Sequence, residues 1–241
     1  MASSETPVKF DLRVVHDKFS ASLMQDDDVS MNEYIYAFKE LYKFFSLLGT
    51  IFGFVGSDVK SKIEILEKLM KESSQPDSFS TFKAMVQHEQ ENGLLGKDDY
   101  VSGSRTLLRL HRGLDFIRLF LKKVGDLENK DNTSGVGQEA YNETLAQYHP
   151  WLIRKGVLVS LYALPTRENL LLKVSVSQDR ENCDWDLILQ SSSNVVENVC
   201  GSNKEEIQRT IDVLPKMLIV TEEVYNRTQA IYESNSLLDL P

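Results

Sequence analysis

Residues 104–124 read SRTLLRLHRGLDFIRLFLKKV, and this stretch restricts the possible folds more than any other. Leu107, Leu108, Leu110, Leu114, Phe116, Ile117, Leu119, Phe120 and Leu121 cover most of the circumference of a helix, the pattern of a helix enclosed by neighbours on nearly every side. Arg105, Arg109 and Arg112 nevertheless sit at i, i+4 and i+7, on one face of that helix. A guanidinium buried without a partner costs on the order of several kcal/mol, so these arginines need anions. Read alone, they fit internal salt bridges, because Asp+Glu number 36 against 27 Lys+Arg. They fit a bound phosphate equally in chemistry, since the guanidinium fork matches phosphate oxygens two at a time.

The rest of the chain supplies the helices that would enclose this one. Only 6 prolines and 12 glycines interrupt 241 residues, and apolar residues recur at helical spacing between them. Phe10, Val14, Val15, Phe19 and Leu23 form a first inward stripe. A second helix over 31–48 turns Tyr34, Ala37, Phe38, Leu41, Phe44, Phe45 and Leu48 inward. A third follows Gly53 with Val55, Val59, Ile63, Leu66 and Met70. After SSQPDS, Phe79, Phe82, Met85 and Val86 open a fourth; 104–124 is the longest unbroken one. Further helices are expected near Gln138, at Pro150 in a first turn, and after Thr166, an N-cap with Asn169 three residues on. The last covers about 204–234, with Pro215 marking a kink or junction. No strand-like alternation is present, so the fold class is all-α, and residues 1–241 are read as one domain. Residues 177–203, rich in Ser, Asn and acidic residues, read as a surface excursion in which Trp185, Leu187, Ile188 and Leu189 could seed a short helix.

Several function classes are excluded or left without support. A net charge of −9 opposes nucleic-acid binding, and no basic run is long enough to reverse it. No stretch reaches the ~20 apolar residues of a membrane span, and the N-terminus MASSETPVKFDLRVV lacks the apolar core of a signal peptide. Cys183 and Cys200 form no CxxC pair, and the 4 histidines show no metal-ligand spacing. The sequons at Asn132, Asn142 and Asn226 are therefore read as chance, and the protein as cytosolic. Gly135-Val136-Gly137-Gln138-Glu139-Ala140 has dinucleotide-fingerprint spacing, but a polar loop precedes it where that fingerprint requires a strand. It reads as a flexible turn into a helix. No metal, cofactor or catalytic group is expected, and the chain is not read as an enzyme.

Two further constellations carry polar chemistry. Asp58 and Lys62 stand at i, i+4; alone, such a pair is a solvated ion pair worth about 0.3–0.5 kcal/mol. In Tyr148-His149-Pro150-Trp151, the histidine alone fits a cap or a satisfied core residue, and the tryptophan fits core.

Together, LLGTIFGFVGSDVKSK (47–62), SRTLLRLHRGLDFIRLFL (104–121), AYNETLAQYHPWLIRKGV (140–157), ALPTRE (163–168) and SLLDLP (236–241) resemble the glycolipid transfer protein superfamily, and within it the ceramide-1-phosphate transfer proteins. The resemblance spans nearly the whole chain, with the motifs in the family's order. It implies a two-layer sandwich of about eight helices that carries lipid without covalent chemistry. By position, Asp58 would accept the ceramide amide N–H and His149 would donate to the amide carbonyl. Lys62, Arg105 and Arg109 would bind the phosphate, with Arg112 supporting the cluster. Phe44, Phe52, Phe54, Val55, Phe116, Ile117, Leu152, Ile153 and Val157 would line the acyl-chain pocket, although each is individually indistinguishable from core. Trp151, with Arg154 and Lys155, resembles the family's membrane-docking element, suited to anionic lipid.

The resemblance also implies ceramide-1-phosphate as the partner, held by a monomer that touches Golgi, plasma-membrane and endosomal surfaces reversibly. Sugar-binding relatives carry tryptophan at the position of Arg109 and asparagine at that of Lys62, so two cations here favour phosphate over sugar. A sugar-headed glycosphingolipid carrier and a lipid sensor on the same fold are the alternatives. One departure is plain: residues 178–203 read as an insertion relative to the family.

Overall fold

The computed structural model describes residues 10–48, 52–175 and 204–241. Among them are nine α-helices: α1 Leu12–Ser22, α2 Met31–Leu47, α3 Gly53–Glu72, α4 Phe82–Glu91, α5 Gly103–Gly125, α6 Ser134–Glu143, α7 Trp151–Tyr162, α8 Arg167–Ser175 and α9 Lys204–Ser234. Short 3-10 turns and isolated bridges join them, and no β-strand occurs among the described residues. The all-α reading holds, with nine helices where about eight were expected. The inserted segment near 178–203, with Trp185 and both cysteines, lies outside the described residues.

The enclosed helix is α5. Leu107, Leu108, Leu110, Leu114, Ile117 and Phe120 are all buried. Helix α5 packs against α3, α4, α6 and α9, which is why apolar residues run around it. Its first turn is anchored by a buried carboxylate from α4. Glu89 accepts from Tyr100 Oη at 2.8 Å, Ser102 Oγ at 2.7 Å, Gly103 N at 2.6 Å and Ser104 N at 3.0 Å. An anion there satisfies otherwise orphaned amides and complements the positive end of the helix. Ser102 completes the cap by accepting from Arg105 N at 3.1 Å. From α9, Tyr232 Oη donates to the Ser104 carbonyl at 2.7 Å, and Tyr225 stacks on His111 with centroids 4.3 Å apart. The arginine-bearing helix is thus held along two sides.

Four local expectations change. Val14 is exposed rather than inward, because the buried stripe of α1 runs through Leu12, Val15, Phe19 and Ser22. Phe79 belongs to a 3-10 turn at Pro76–Phe79 that precedes α4. Helix α6 begins at Ser134 rather than near Gln138, so Gly135 and Gly137 are helical. A Cβ on Gly137 would stand 2.9 Å from Leu164 Cδ1, so this glycine serves close packing, neither a flexible turn nor a phosphate loop. Helix α9 continues on both sides of Pro215, which is therefore not a junction.

Candidate functional site

One cavity of about 530 Å³ gathers most of the residues singled out in the sequence. Helices α2, α3, α5, α6 and α7 contribute its wall. Phe44, Phe52, Phe54, Val55, Phe116, Ile117, Ile153 and Val157 line it as expected. Phe38, Phe45, Leu110, Leu161 and Leu164 join them from positions read only as core, or not singled out at all. Its polar residues are Asp58, Lys62, Arg109, Arg112, Tyr141, Tyr148, His149 and Ser160, and Pro241 also borders it. The volume lies within the ~300–1,000 Å³ usual for small-molecule sites.

Leu152 does not line this cavity. It is 71% exposed. The α7 residues that face inward are Ile153, Val157, Ser160 and Leu161, spaced as one helical stripe, and Leu152 is turned about 100° from Ile153. Arg105 is also absent from the lining. It sits a full turn before Arg109, and its Nη2 donates to the Tyr100 carbonyl at 2.8 Å. The shared face of the three arginines is real, but the cavity reaches only its second and third members.

The partners of these arginines bear on the two readings left open above. Arg109 Nη2 donates to the backbone oxygen of Pro241 at 3.3 Å. Arg112 Nη2 donates to the Leu238 carbonyl at 2.8 Å, and its guanidinium lies 4.0 Å from the Tyr148 ring centroid. Among the described residues, no Asp or Glu side chain pairs with Arg105, Arg109 or Arg112. Salt bridges to Asp or Glu are not what holds them; main-chain oxygens are. No Asp or Glu side chain among the described residues pairs with Arg109 or Arg112, so the cavity has a guanidinium-rich end.

Asp58 and Lys62 do pair: Lys62 Nζ donates to Asp58 Oδ1 along α3. The pair is asymmetric, with the Lys62 side chain 12% exposed and that of Asp58 67% exposed. His149 stands near both. Burial lowers its pKa, Asp58 raises it and Lys62 lowers it, with a net downward shift that favours the neutral ring. Its Nδ1 lies 2.9 Å from Tyr141 Oη. Neutral imidazole, carboxylate, ammonium and guanidinium thus border one apolar space. Among the described residues no cluster of His, Cys, Asp or Glu could hold a metal.

The expected docking residues share one exposed helix end. Trp151 is 65% exposed, and Leu152, Ile153, Arg154 and Lys155 are exposed beside it. Phe54 and Ile153 are at once exposed and part of the cavity lining, so the apolar surface is continuous with the apolar interior. No helix among the described residues is long and apolar enough to cross a membrane. Sequence reasoning did not single out Tyr141 or Gly113 as lining residues. Both are set within helical apolar patterns, where a cavity wall and a core have the same spacing.

Known proteins share this fold. The family model described as glycolipid transfer protein matches residues 29–176. The human protein named ceramide-1-phosphate transfer protein is 35% identical over 245 aligned residues, covering 100% of both chains. The crystal structure of its mouse counterpart without ligand has a TM-score of 0.80 at 33% identity, over 97% of this chain and 100% of that one. The human protein in complex with 2:0 ceramide-1-phosphate gives 0.77 at 34% identity, over 97% and 100%. A family match over more than half the chain, full-length identity above 30% and a common helical fold agree with one another: this chain belongs to the glycolipid transfer protein family.

Proposed function

We propose that this chain moves ceramide-1-phosphate between membranes, non-covalently, with the phosphate at the cationic end of the cavity and the hydrocarbon in its apolar part. The observation that carries the reading is that Arg109 and Arg112 border an apolar cavity with main-chain oxygens, and no Asp or Glu side chain, as their hydrogen-bond partners among the described residues. A phosphate offers three strong acceptor oxygens and a charge opposite to guanidiniums that no Asp or Glu side chain holds. Lys62 and Arg109 are the phosphate ligands in this reading, Arg105 a neighbouring cation, and Arg112 a support. Asp58, already exposed, accepts the amide N–H, and His149 donates to the amide carbonyl. The ligands in the crystal structures of the human relative, 2:0 and 12:0 ceramide-1-phosphate, support the same assignment.

A carrier is needed because each buried methylene contributes about 0.8 kcal/mol to membrane retention, so a sixteen-carbon chain contributes roughly 12 kcal/mol. The cavity replaces the bilayer for those chains. Trp151, Arg154 and Lys155 would rest on an anionic membrane surface with the Phe54–Ile153 rim facing the lipid, so the chain enters without crossing water. With a net charge of −9 the contact stays shallow and reversible.

The test is vesicle-to-vesicle transfer with ceramide-1-phosphate and glucosylceramide in competition, without ATP. Preferential movement of ceramide-1-phosphate is expected. Preference for glucosylceramide would replace the headgroup assignment, and tight binding without transfer would make the protein a sensor. Chemical turnover of the lipid would refute the non-covalent scheme.

A further inference from the structure

Tyr141 in α6 and His149 before α7 form the closest polar contact within the cavity wall that involves neither cation nor carboxylate. Tyr141 is 1% exposed, and its Oη lies 2.9 Å from Nδ1 of His149. Phe116 meets the Tyr141 ring edge-on, at 6.4 Å and 84°, which fixes the ring from another side. Among the described residues neither the phenol oxygen nor Nε2 of His149 has a second hydrogen-bond partner. Both residues border the cavity.

A phenol carries one proton, and Nδ1 is the acceptor within its reach. With the hydrogen on Nδ1 instead, the phenol oxygen would accept and its own proton would have nowhere to go in a buried setting. Burial pushes the Tyr141 phenol up and the His149 imidazole down, so both are held neutral. A neutral imidazole whose Nδ1 accepts has its hydrogen on Nε2.

We infer that Tyr141 is a positioning residue that occupies Nδ1 of His149, fixes the ring hydrogen on Nε2, and thereby presents the cavity with a donor that selects lipids bearing a carbonyl oxygen at that level. The inference rests on the proposed pairing of His149 with the amide carbonyl and deepens it. A ring with a bare Nε2 would set its lone pair against the carbonyl oxygen. The state of one phenol proton, one helix away, therefore decides whether an N-acylated lipid is accepted.

The experiment begins without lipid. Long-range proton–nitrogen NMR on the full chain labelled at histidine nitrogen, with the signal assigned through His149→Gln, reads which nitrogen carries hydrogen. The expected result is hydrogen on Nε2 and a bare Nδ1, and a mixture of both tautomers in Tyr141→Phe. Hydrogen on Nδ1 in the unaltered protein, or an unchanged tautomer in Tyr141→Phe, overturns the inference.

Binding of short-chain ceramide-1-phosphate and of sphingosine-1-phosphate, which lacks the N-acyl carbonyl, is then compared. Tyr141→Phe is expected to weaken the former roughly threefold to tenfold, the worth of one hydrogen bond, and the latter less than twofold. Equal losses would make Tyr141 a packing residue only. Failure of the unaltered protein to bind either phospholipid would sink the transfer reading, while the lipid-free tautomer measurement would still report on Tyr141. Should Tyr141→Phe prove unfolded, the tautomer of the unaltered protein decides.

Discussion

The guanidinium of Arg109 and the backbone oxygen of Pro241 lie 3.3 Å apart, although 132 residues separate them in sequence. Three residues along α5, Arg112 is held more tightly by the same segment, at 2.8 Å from the Leu238 carbonyl, and its face is covered by Tyr148. Two arginines on one helical face thus have different commitments. Arg109 keeps one long contact to a main-chain oxygen and is available to an incoming anion; Arg112 ties Leu238 and Tyr148, the residue before His149, to the helix.

From that difference, Arg109→Leu and Arg112→Leu should fail in different ways. Arg109→Leu is expected to reduce ceramide-1-phosphate transfer by at least tenfold with little change in melting temperature, since charge-assisted bonds are worth about 1.5–3 kcal/mol. Arg112→Leu should lower stability by about 1–2 kcal/mol, because the Leu238 carbonyl and the Tyr148 ring lose their partner. Thermal unfolding beside a vesicle transfer assay separates the two. Normal transfer by Arg109→Leu would remove it from the headgroup site.

Trp151, 65% exposed, is expected to act on membranes and not on the cavity. Trp151→Ala should weaken binding to vesicles containing phosphatidylserine severalfold while leaving the preference between ceramide-1-phosphate and glucosylceramide intact. Flotation and competition assays read the two effects. A changed preference with unchanged flotation would reverse the assignment.

The sequence disclosed most of this architecture because its signals are periodic or compositional. Helical spacing and cap signals located the nine helices among the described residues to within a few residues, and α5 announced its enclosure through apolar residues around most of its circumference. Matched motifs brought Asp58, Lys62, Arg109 and His149 to one cavity from separated segments. What spacing could not reveal was depth along a face. Arg105 and Arg109 share a stripe, but only Arg109 reaches the cavity, and Leu152 differs from Ile153 by one step of about 100°. Nor does any local pattern announce that Pro241 returns to α5, since that contact is made between backbone oxygen and side chain.

His111 gives the fold a pH dependence of stated sign. It is buried, its Nε2 lies 2.8 Å from Gln229 Oε1, and its Nδ1 has no partner. Burial lowers its pKa from 6.5 to about 4, with the Gln229 hydrogen bond opposing. The folded protein favours the neutral ring, so stability is undiminished above about pH 6.5 and declines as pH falls toward 4, by at most about 3 kcal/mol from this group. Urea unfolding at pH 7, 5.5 and 4.5 should show His111→Phe, which keeps the stack on Tyr225, losing less stability on acidification. Parallel pH profiles for the two proteins would rule out His111 as the source.

Gly113 offers the sharpest separation of stability from function. It lies in α5, lines the cavity, and a Cβ placed on it meets nothing within 4 Å. Gly113→Ala should therefore raise stability by up to about 1 kcal/mol through helix propensity alone. Gly103, in the same helix, is the control: a Cβ there would stand 2.5 Å from Met85 Sδ, so Gly103→Ala should destabilise by about 1–3 kcal/mol. A larger side chain at Gly113 has only the cavity to enter. Gly113→Leu is expected to fold, as judged by melting temperature, yet to lose most transfer because the side chain takes space required by the hydrocarbon. Binding of ceramide-1-phosphates of increasing acyl length checks the mechanism, with the shortest chain least affected. Equal loss at every length would place the obstruction at the headgroup and not along the chain.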